Sequence, residues 1–151
     1  MKKSTGIIIF LFIIHFGGCS SLTLRPVDFS WPIEVEAKSD SLGVLQRTRY
    51  QISFNVKPLL FEELRDSVKN VDRSFNIIRD QKGFYFITAK DFKNVYVFLP
   101  REGTLQLEKK IFISEKGLQA PSMNQRPPYI ELVNKLDENV KSIMLSEKGI
   151  Q

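Results

Sequence analysis

Apolar and polar residues alternate along much of the chain, and this alternation predicts β-strands. In residues 31–37 every second position is apolar, with Glu34 and Glu36 between the apolar positions. Residues 50–56 repeat the pattern with polar side chains at the intervening positions. Successive side chains of a strand point to opposite faces, so both segments predict strands with one face in the core and one in water.

Four further segments have strand character, which predicts an antiparallel meander. They are residues 74–79, 84–89, 95–99 and 105–114. Short loops containing Gly83 and Gly103 separate the first pair and the second pair, and glycine supplies the positive φ that tight hairpins need. Residues 39–47, around Gly43, are a predicted turn region between the first two strands.

Lys109 interrupts the apolar alternation of the last of these segments. The apolar positions on either side of it are Leu105, Leu107, Ile111 and Ile113. We interpret the lysine as the mark of a β-bulge or strand end near residues 108–110. The alternative interpretation is a functional cation inside a pocket.

Two segments have helical spacing. In residues 57–70, Pro58 near the start suits a first helical turn, and apolar residues recur four apart. In residues 129–145 an apolar stripe lies opposite a charged face. That stripe consists of Tyr129, Val133, Leu136, Val140 and Ile143. With residues 115–128 as a long polar loop, we predict one α+β domain: a mainly antiparallel sheet of about six strands and two amphipathic helices covering one face.

The amino terminus has a different pattern. Lys2 and Lys3 precede a nearly unbroken apolar run over residues 7–16, and Gly17 and Gly18 follow it. A basic head, an apolar stretch of about 7–15 residues and a small-residue boundary are typical of an export signal. The run is shorter than the roughly 20 residues of a membrane-spanning helix. We therefore expect the rest of the chain to be exported.

The segment 16–19, Phe-Gly-Gly-Cys, resembles the lipobox of bacterial lipoproteins. The resemblance covers about the first twenty residues and implies cleavage before Cys19, whose sulfur would carry a diacylglyceryl group. It divides the chain into a signal peptide (1–18), a lipidated tether (19–30) and a single folded domain (31–151). Ser20 after the cysteine implies transfer to the outer membrane, where we expect a lipid anchor on the periplasmic face. The alternative is an ordinary secretory signal with a chance cysteine.

Processing at Cys19 changes which chemistry the mature chain can perform. Cleavage removes 18 of the 151 residues and leaves 133, and the loss of Lys2 and Lys3 reduces the net charge from +5 to +3. That charge and the export signal argue against nucleic acid as a partner. The chain's one histidine, His15, leaves with the signal. Without histidine or a free thiol, Ser-His and Cys-His nucleophiles and histidine/cysteine zinc sites are excluded, so we predict no catalytic residues, metal or cofactor.

Two groups of polar residues are candidates for binding. The long loop ends in a mixture of hydrogen-bonding and aromatic side chains, for which we predict contact with a partner. These side chains are Asn124, Gln125, Arg126 and Tyr129. The alternative is a structural role, with the polar groups satisfying backbone atoms while Tyr129 fills the core. Glu62 and Asp66 could share a hard cation, although acids near a helix start are usually solvated, and we prefer that explanation.

Three functions remain. The first is a non-catalytic binding or assembly module, anchored in the membrane through Cys19 and presenting a surface to an envelope protein or glycan. The second is a carrier that shelters an apolar ligand between sheet and helices. A cavity of about 300 Å³ or more would favour it, lined by Phe84, Phe86, Phe98 and Phe112. The third is a hydrolase that uses two facing carboxylates.

Overall fold

The computed structural model describes residues 34–47, 52–66, 71–136 and 139–151, of which most are in β-strands. The strands are β1 (Val35–Lys38), β2 (Val44–Arg47), β3 (Ile52–Asn55), β4 (Ser74–Arg79), β5 (Tyr85–Ala89), β6 (Asn94–Arg101), β7 (Thr104–Phe112), β8 (Pro121–Arg126), β9 (Tyr129–Leu136), β10 (Asn139–Ser146) and β11 (Gly149–Ile150). A single helix within these ranges, α1, spans Lys57–Leu64. The pairings between these strands are antiparallel.

A five-stranded sheet in the order β1-β4-β5-β6-β7 forms the middle layer of the protein. All five residues of the central strand, β5, are buried. A strand that is covered on both faces does not need polar residues at alternate positions. The sequence of β5, Tyr-Phe-Ile-Thr-Ala, is accordingly a nearly continuous apolar run. The sheet therefore has a separate core on each side.

The first core lies between this sheet and a layer made of α1 and the β2-β3 hairpin. From the sheet it takes Phe75, Ile77, Ile87 and Tyr96, and from the covering layer Leu45, Val56, Leu59 and Leu60. Pro58 stands in the first turn of α1, where its missing N–H would have no helical partner and its fixed φ suits the helix. The helix ends at Arg65, whose left-handed φ of 56° turns the chain.

The second core lies between the opposite face of the five-stranded sheet and a four-stranded sheet. The order of this second sheet is β11-β10-β9-β8. Ile78, Phe86 and Val97 pack from the first sheet against residues of the second sheet. Those residues include Met123, Ile130, Leu132 and Leu145. The molecule thus has three layers, with the five-stranded sheet between the helical layer and the second sheet.

The predicted α+β fold with two helices is wrong, because the second predicted helix is a β-hairpin. Residues 129–145 form β9 and most of β10, which pair from Leu136↔Asn139 to Ile130↔Leu145. Ile130 and Leu132 point into the second core, whereas Val140, on the predicted helical stripe, is 62% exposed. The stripe was a coincidence of spacing, since it proceeds in steps of four and three residues, and a step of three within a strand, as from Val140 to Ile143, joins opposite faces.

Other segments also have more strand than the sequence predicted. The predicted turn region at 39–47 contains β2, and the predicted loop at 115–128 contains β8. The first predicted helix is present but ends at Leu64, and residues 67–70 of the prediction lie outside the described residues. The meander of β4 to β7 agrees with the prediction within one or two residues at each end, and its hairpins contain Gly83 and Gly103 with φ of 94° and 76°.

A β-bulge divides β7 at Glu108. Val97 pairs with Lys109, but the next residue of β6, Phe98, pairs with Leu107. Glu108 is therefore the extra residue, and side chains beyond it change faces. This confirms the bulge that Lys109 predicted. Lys109 lies on the side of the second sheet and donates a 2.7 Å hydrogen bond from Nζ to the carbonyl oxygen of Lys148.

Candidate ligand-binding cleft

A cleft of about 830 Å³ opens between the helical layer and the five-stranded sheet. Its floor is the sheet surface of β5, β6 and β7, and its opposite wall is β3 and the start of α1. The apolar and aromatic residues that line it are Ile52, Phe54, Pro58, Leu59, Ile87, Tyr96, Phe98, Pro100, Leu105 and Leu107. Polar residues also border the cleft, among them Glu62, Thr104 and Lys110. A cleft of this volume with a largely apolar lining is typical of a small-molecule site.

Aromatic side chains on β6 support the floor of the cleft. The rings of Tyr96 and Phe98 are stacked with centroids 6.4 Å apart. Behind them, Phe92 contacts Tyr96 edge-on at 6.3 Å and Phe75 edge-on at 5.9 Å. Such pairs add stabilisation beyond the area that they bury. Because Phe75, Phe92 and Tyr96 are fully or almost fully buried, we expect this floor to be rigid.

The carboxylate of Glu63 connects α1 to the five-stranded sheet through three hydrogen bonds. Its Oε1 accepts hydrogen bonds of 2.7 Å from the Tyr96 hydroxyl and from Nδ2 of Asn94. Its Oε2 accepts a third, also 2.7 Å, from the backbone N–H of Lys93. Burial of the Tyr96 hydroxyl and its bond to Glu63 raise the pKa of Tyr96 far above its ordinary value. Tyr96 is therefore a neutral hydrogen-bond donor that fixes the width of the cleft.

An exposed ion pair, Glu62 to Lys110, lines part of the cleft. Nζ of Lys110 on β7 lies 2.6 Å from Oε1 of Glu62 on α1, and both side chains are nearly half exposed. The hydrogen bond and charge of Lys110, together with the charge of Arg65, lower the pKa of the Glu62 carboxyl. The pair therefore joins the two walls through solvent-accessible charges, which contribute little to stability.

The sequence did not predict this cleft correctly. Of the four phenylalanines expected around a ligand cavity, Phe98 alone lines the cleft. Phe86 lies in the second core with Phe84 packed against it, and Phe112 is half exposed. The signal that was available is the alternation of Ile52 and Phe54, which identifies the apolar face of β3. Nothing in the sequence shows that part of this face is left uncovered.

The predicted partner-binding residues lie on a β-hairpin of the second sheet and not in the long loop that the sequence predicted. Asn124, Gln125 and Arg126 belong to β8, and Tyr129 begins β9 after a Pro127-Pro128 turn. Nε of Arg126 donates a 3.0 Å hydrogen bond to Glu131. Asn124 and Arg126 are exposed, Tyr129 is 36% exposed, and Gln125 is partly buried. Binding of a partner at this hairpin stays a prediction.

Cys19 and the rest of the predicted signal peptide and tether lie outside the described residues. Lipid attachment and the outer-membrane location therefore stay predictions. Within the described ranges the protein has no helix long and apolar enough to cross a bilayer. In the same ranges there is no group of three or more His, Cys, Asp or Glu side chains that could hold a metal ion. Glu62, for which a shared cation was the less favoured alternative, accepts a hydrogen bond from Lys110.

Comparisons with known proteins add no assignment. No protein-family model matches the chain, and no curated protein or solved structure is significantly similar to it. The cleft and its surroundings must therefore be interpreted from their own geometry.

Proposed function

We propose that this chain is a lipid-anchored protein of the bacterial envelope that binds the apolar chain of an amphiphilic ligand in the cleft. It is a non-catalytic binding module, and of the functions considered the carrier is the one that a specific observation favours. That observation is the 830 Å³ of space between β3, α1 and the β5-β7 surface. Apolar side chains line this space, and no side chain of the described residues fills it.

The distribution of exposed apolar groups supports this proposal. Leu107 lines the cleft beside Leu105 and Phe98, and it is 51% exposed. Exposed apolar surface costs free energy in water and usually marks a binding site when it forms a patch. Covering it with a hydrocarbon chain contributes about 0.8 kcal/mol for each CH₂ group removed from water.

The rim of the cleft specifies what kind of ligand fits. The side chains of Glu62 and Lys110, both nearly half exposed, place charged groups beside the apolar lining. A ligand with an apolar body and a polar head satisfies both surfaces, whereas a wholly polar ligand such as a glycan would leave the floor uncovered. We therefore favour a single-chain amphiphile over a glycan for this site.

The predicted anchor fits the same function. A chain held at a membrane by two or more acyl groups stays close to the lipids from which such a ligand would be taken. Intact-mass analysis tests the anchor: we expect a mature chain that begins at Cys19 and carries a diacylglyceryl group. A bare thiol or an uncleaved amino terminus would contradict it.

Native mass spectrometry of the lipidated chain purified from envelopes tests ligand binding. We expect a non-covalently bound single-chain amphiphile on the wild-type protein and its loss from Leu105→Trp, in which the indole occupies the cleft. Leu42→Trp is the matched control, because Leu42 is 67% exposed and does not line the cleft. Equal ligand content in the two variants would contradict the proposal. A stoichiometric partner protein with no bound amphiphile would support an assembly module instead.

A further inference from the structure

We propose that Lys110 gives the cleft a preference for ligands with an anionic head, a carboxylate or a phosphate, on the single apolar chain. This inference rests on the proposed function and names its ligand class. It depends on where the β-bulge places Lys110, on the charges around Glu62, and on the exposure of the ion pair between them.

The bulge directs Lys110 into the cleft. In a regular strand, residues three apart lie on opposite faces, so Lys110 would point away from the face that carries Leu107. The extra residue Glu108 reverses the alternation, and Lys110 pairs with Tyr96, which belongs to the first core. Leu105, Leu107 and Lys110 therefore line the same cleft, while Lys109 points to the opposite side. Bulges commonly redirect a side chain at a functional site.

The charges beside the ion pair favour an added anion over an added cation. Glu62 interacts with two cations, because Arg65 acts on it in addition to Lys110. Among the described residues Lys110 has Glu62 as its one ion-pair partner. A lysine ammonium group has three N–H donors, and one is used by Oε1 of Glu62. A ligand anion can bind alongside Glu62 or replace it, whereas a ligand cation at Glu62 would have to compete with two charges of its own sign.

The exchange of partners requires little disruption. The side chains of Lys110 and Glu62 are 45% and 48% exposed, and such surface pairs contribute little to stability. Other hydrogen bonds hold the helix in place, because the Glu63 carboxylate accepts from Lys93, Asn94 and Tyr96. Lys110 can therefore change its partner from Glu62 to a ligand without movement of α1.

A series of ligands with the same chain and different heads tests this inference. Dodecanoic acid, dodecanol and dodecylamine would be titrated calorimetrically into the full-length lipidated chain in nanodiscs, with protein-free nanodiscs as the background. We expect the acid to bind about tenfold more tightly than the alcohol, which is the effect of one charge-assisted hydrogen bond. Lys110→Gln should remove this preference, so that the acid and the alcohol bind with similar affinity.

The adjacent lysine provides the matched control. Lys109→Gln removes the same charge from the opposite face of β7 and should keep the preference for the acid. Glu62→Gln frees Lys110 and should strengthen binding of the acid. If the alcohol binds but Lys110→Gln keeps the preference for the acid, or the amine binds most tightly, this inference is overturned and the proposed function stands. Failure of all three ligands to bind would overturn the proposed function, and this inference with it.

Discussion

The hydroxyl of Tyr96 donates a 2.7 Å hydrogen bond to Oε1 of Glu63, and this contact joins the one described helix to the central region of the five-stranded sheet. Tyr96 contributes its ring to the cleft floor. Glu63 belongs to the helix that forms part of the opposite wall. One hydrogen bond therefore connects the two surfaces between which the proposed ligand lies, and its loss should affect both stability and binding.

Glu63→Ala should lower the free energy of unfolding by about 3 kcal/mol, because it leaves the buried Tyr96 hydroxyl and two further donors without their acceptor. Urea unfolding measures this change. Glu62→Ala is the matched control, since it removes the adjacent carboxylate and only an exposed ion pair, and its effect should be much smaller. Equal effects of the two substitutions would contradict the role assigned to Glu63.

Leu132→Ala should lower the free energy of unfolding by about 3 kcal/mol, whereas Val140→Ala should change it by less than about 0.5 kcal/mol. Leu132 is fully buried between the sheets and Val140 is 62% exposed. A helix over residues 129–145 would place Val140 on its apolar stripe, so Val140→Ala would then be costly as well. Thermal or urea unfolding of the two variants therefore distinguishes the hairpin from the helix.

The sequence predicts parts of this fold that local rules determine. The alternation in β1 and β3, the hairpins at Gly83 and Gly103, and the bulge beside Lys109 all depend on residues that are close in sequence. The pairing of β9 with β10 was missed because apolar residues from both faces of these strands, taken in steps of four and three, imitate helical spacing. Only the second core, to which Ile130 and Leu132 contribute, identifies the correct period.

The cleft could not be predicted because it depends on the fit between distant layers. β3 and β7 are separated by about fifty residues, and the space between them is set by Glu63 and the β2-β3 hairpin. A sequence shows which side chains are apolar but does not show which of them remain without a neighbour. Lys110 was missed for a related reason, since its direction depends on the exact position of the bulge at Glu108.

Glu34 should make the protein less stable as the pH rises from about 4 to about 7. Its Oε1 accepts hydrogen bonds from Nδ2 of Asn76 and the N–H of Met123, but burial raises the pKa of the carboxyl above its ordinary value. A raised pKa contributes stability below the unfolded value, and this contribution is lost as the pH rises through the folded value. Glu34→Gln keeps the acceptor without the charge, so it should gain stability relative to wild type toward pH 7.

Glu147→Gln should show the opposite dependence. The hydrogen bond from Lys82 lowers the pKa of Glu147, so its contribution is present above the unfolded pKa and is lost as the pH falls through the folded value. The variant should therefore lose most stability relative to wild type near pH 7. Urea unfolding of wild type and both variants at about pH 4 and about pH 7 measures how the stability difference from wild type changes with pH. A change of the same sign for both variants would show that the environment of Glu34 is misassigned.

Gly117→Ala should destabilise the protein by about 1–3 kcal/mol more than Gly103→Ala. Both glycines have a φ of +76°, so both substitutions carry the same cost of about 1 kcal/mol for a left-handed backbone. A β-carbon at position 117 would lie 2.7 Å from the carbonyl oxygen of Asp91, whereas one at position 103 meets no atom within 4 Å. Matched melting curves of the two variants isolate the clash, and equal losses would mean that the approach of Gly117 to Asp91 is not this close.

Photo-crosslinking in the membrane tests the location of the ligand most directly. The full-length chain in bilayers would be irradiated with a fatty acid that carries a diazirine near its methyl end, and the modified peptides would be mapped by mass spectrometry. Binding in the cleft predicts labels on β3, β6 and β7 that Leu105→Trp abolishes and Leu42→Trp leaves in place. Labels that fall on the exposed face of β9 and β10, or that persist unchanged in Leu105→Trp, would contradict a ligand site between α1 and the five-stranded sheet.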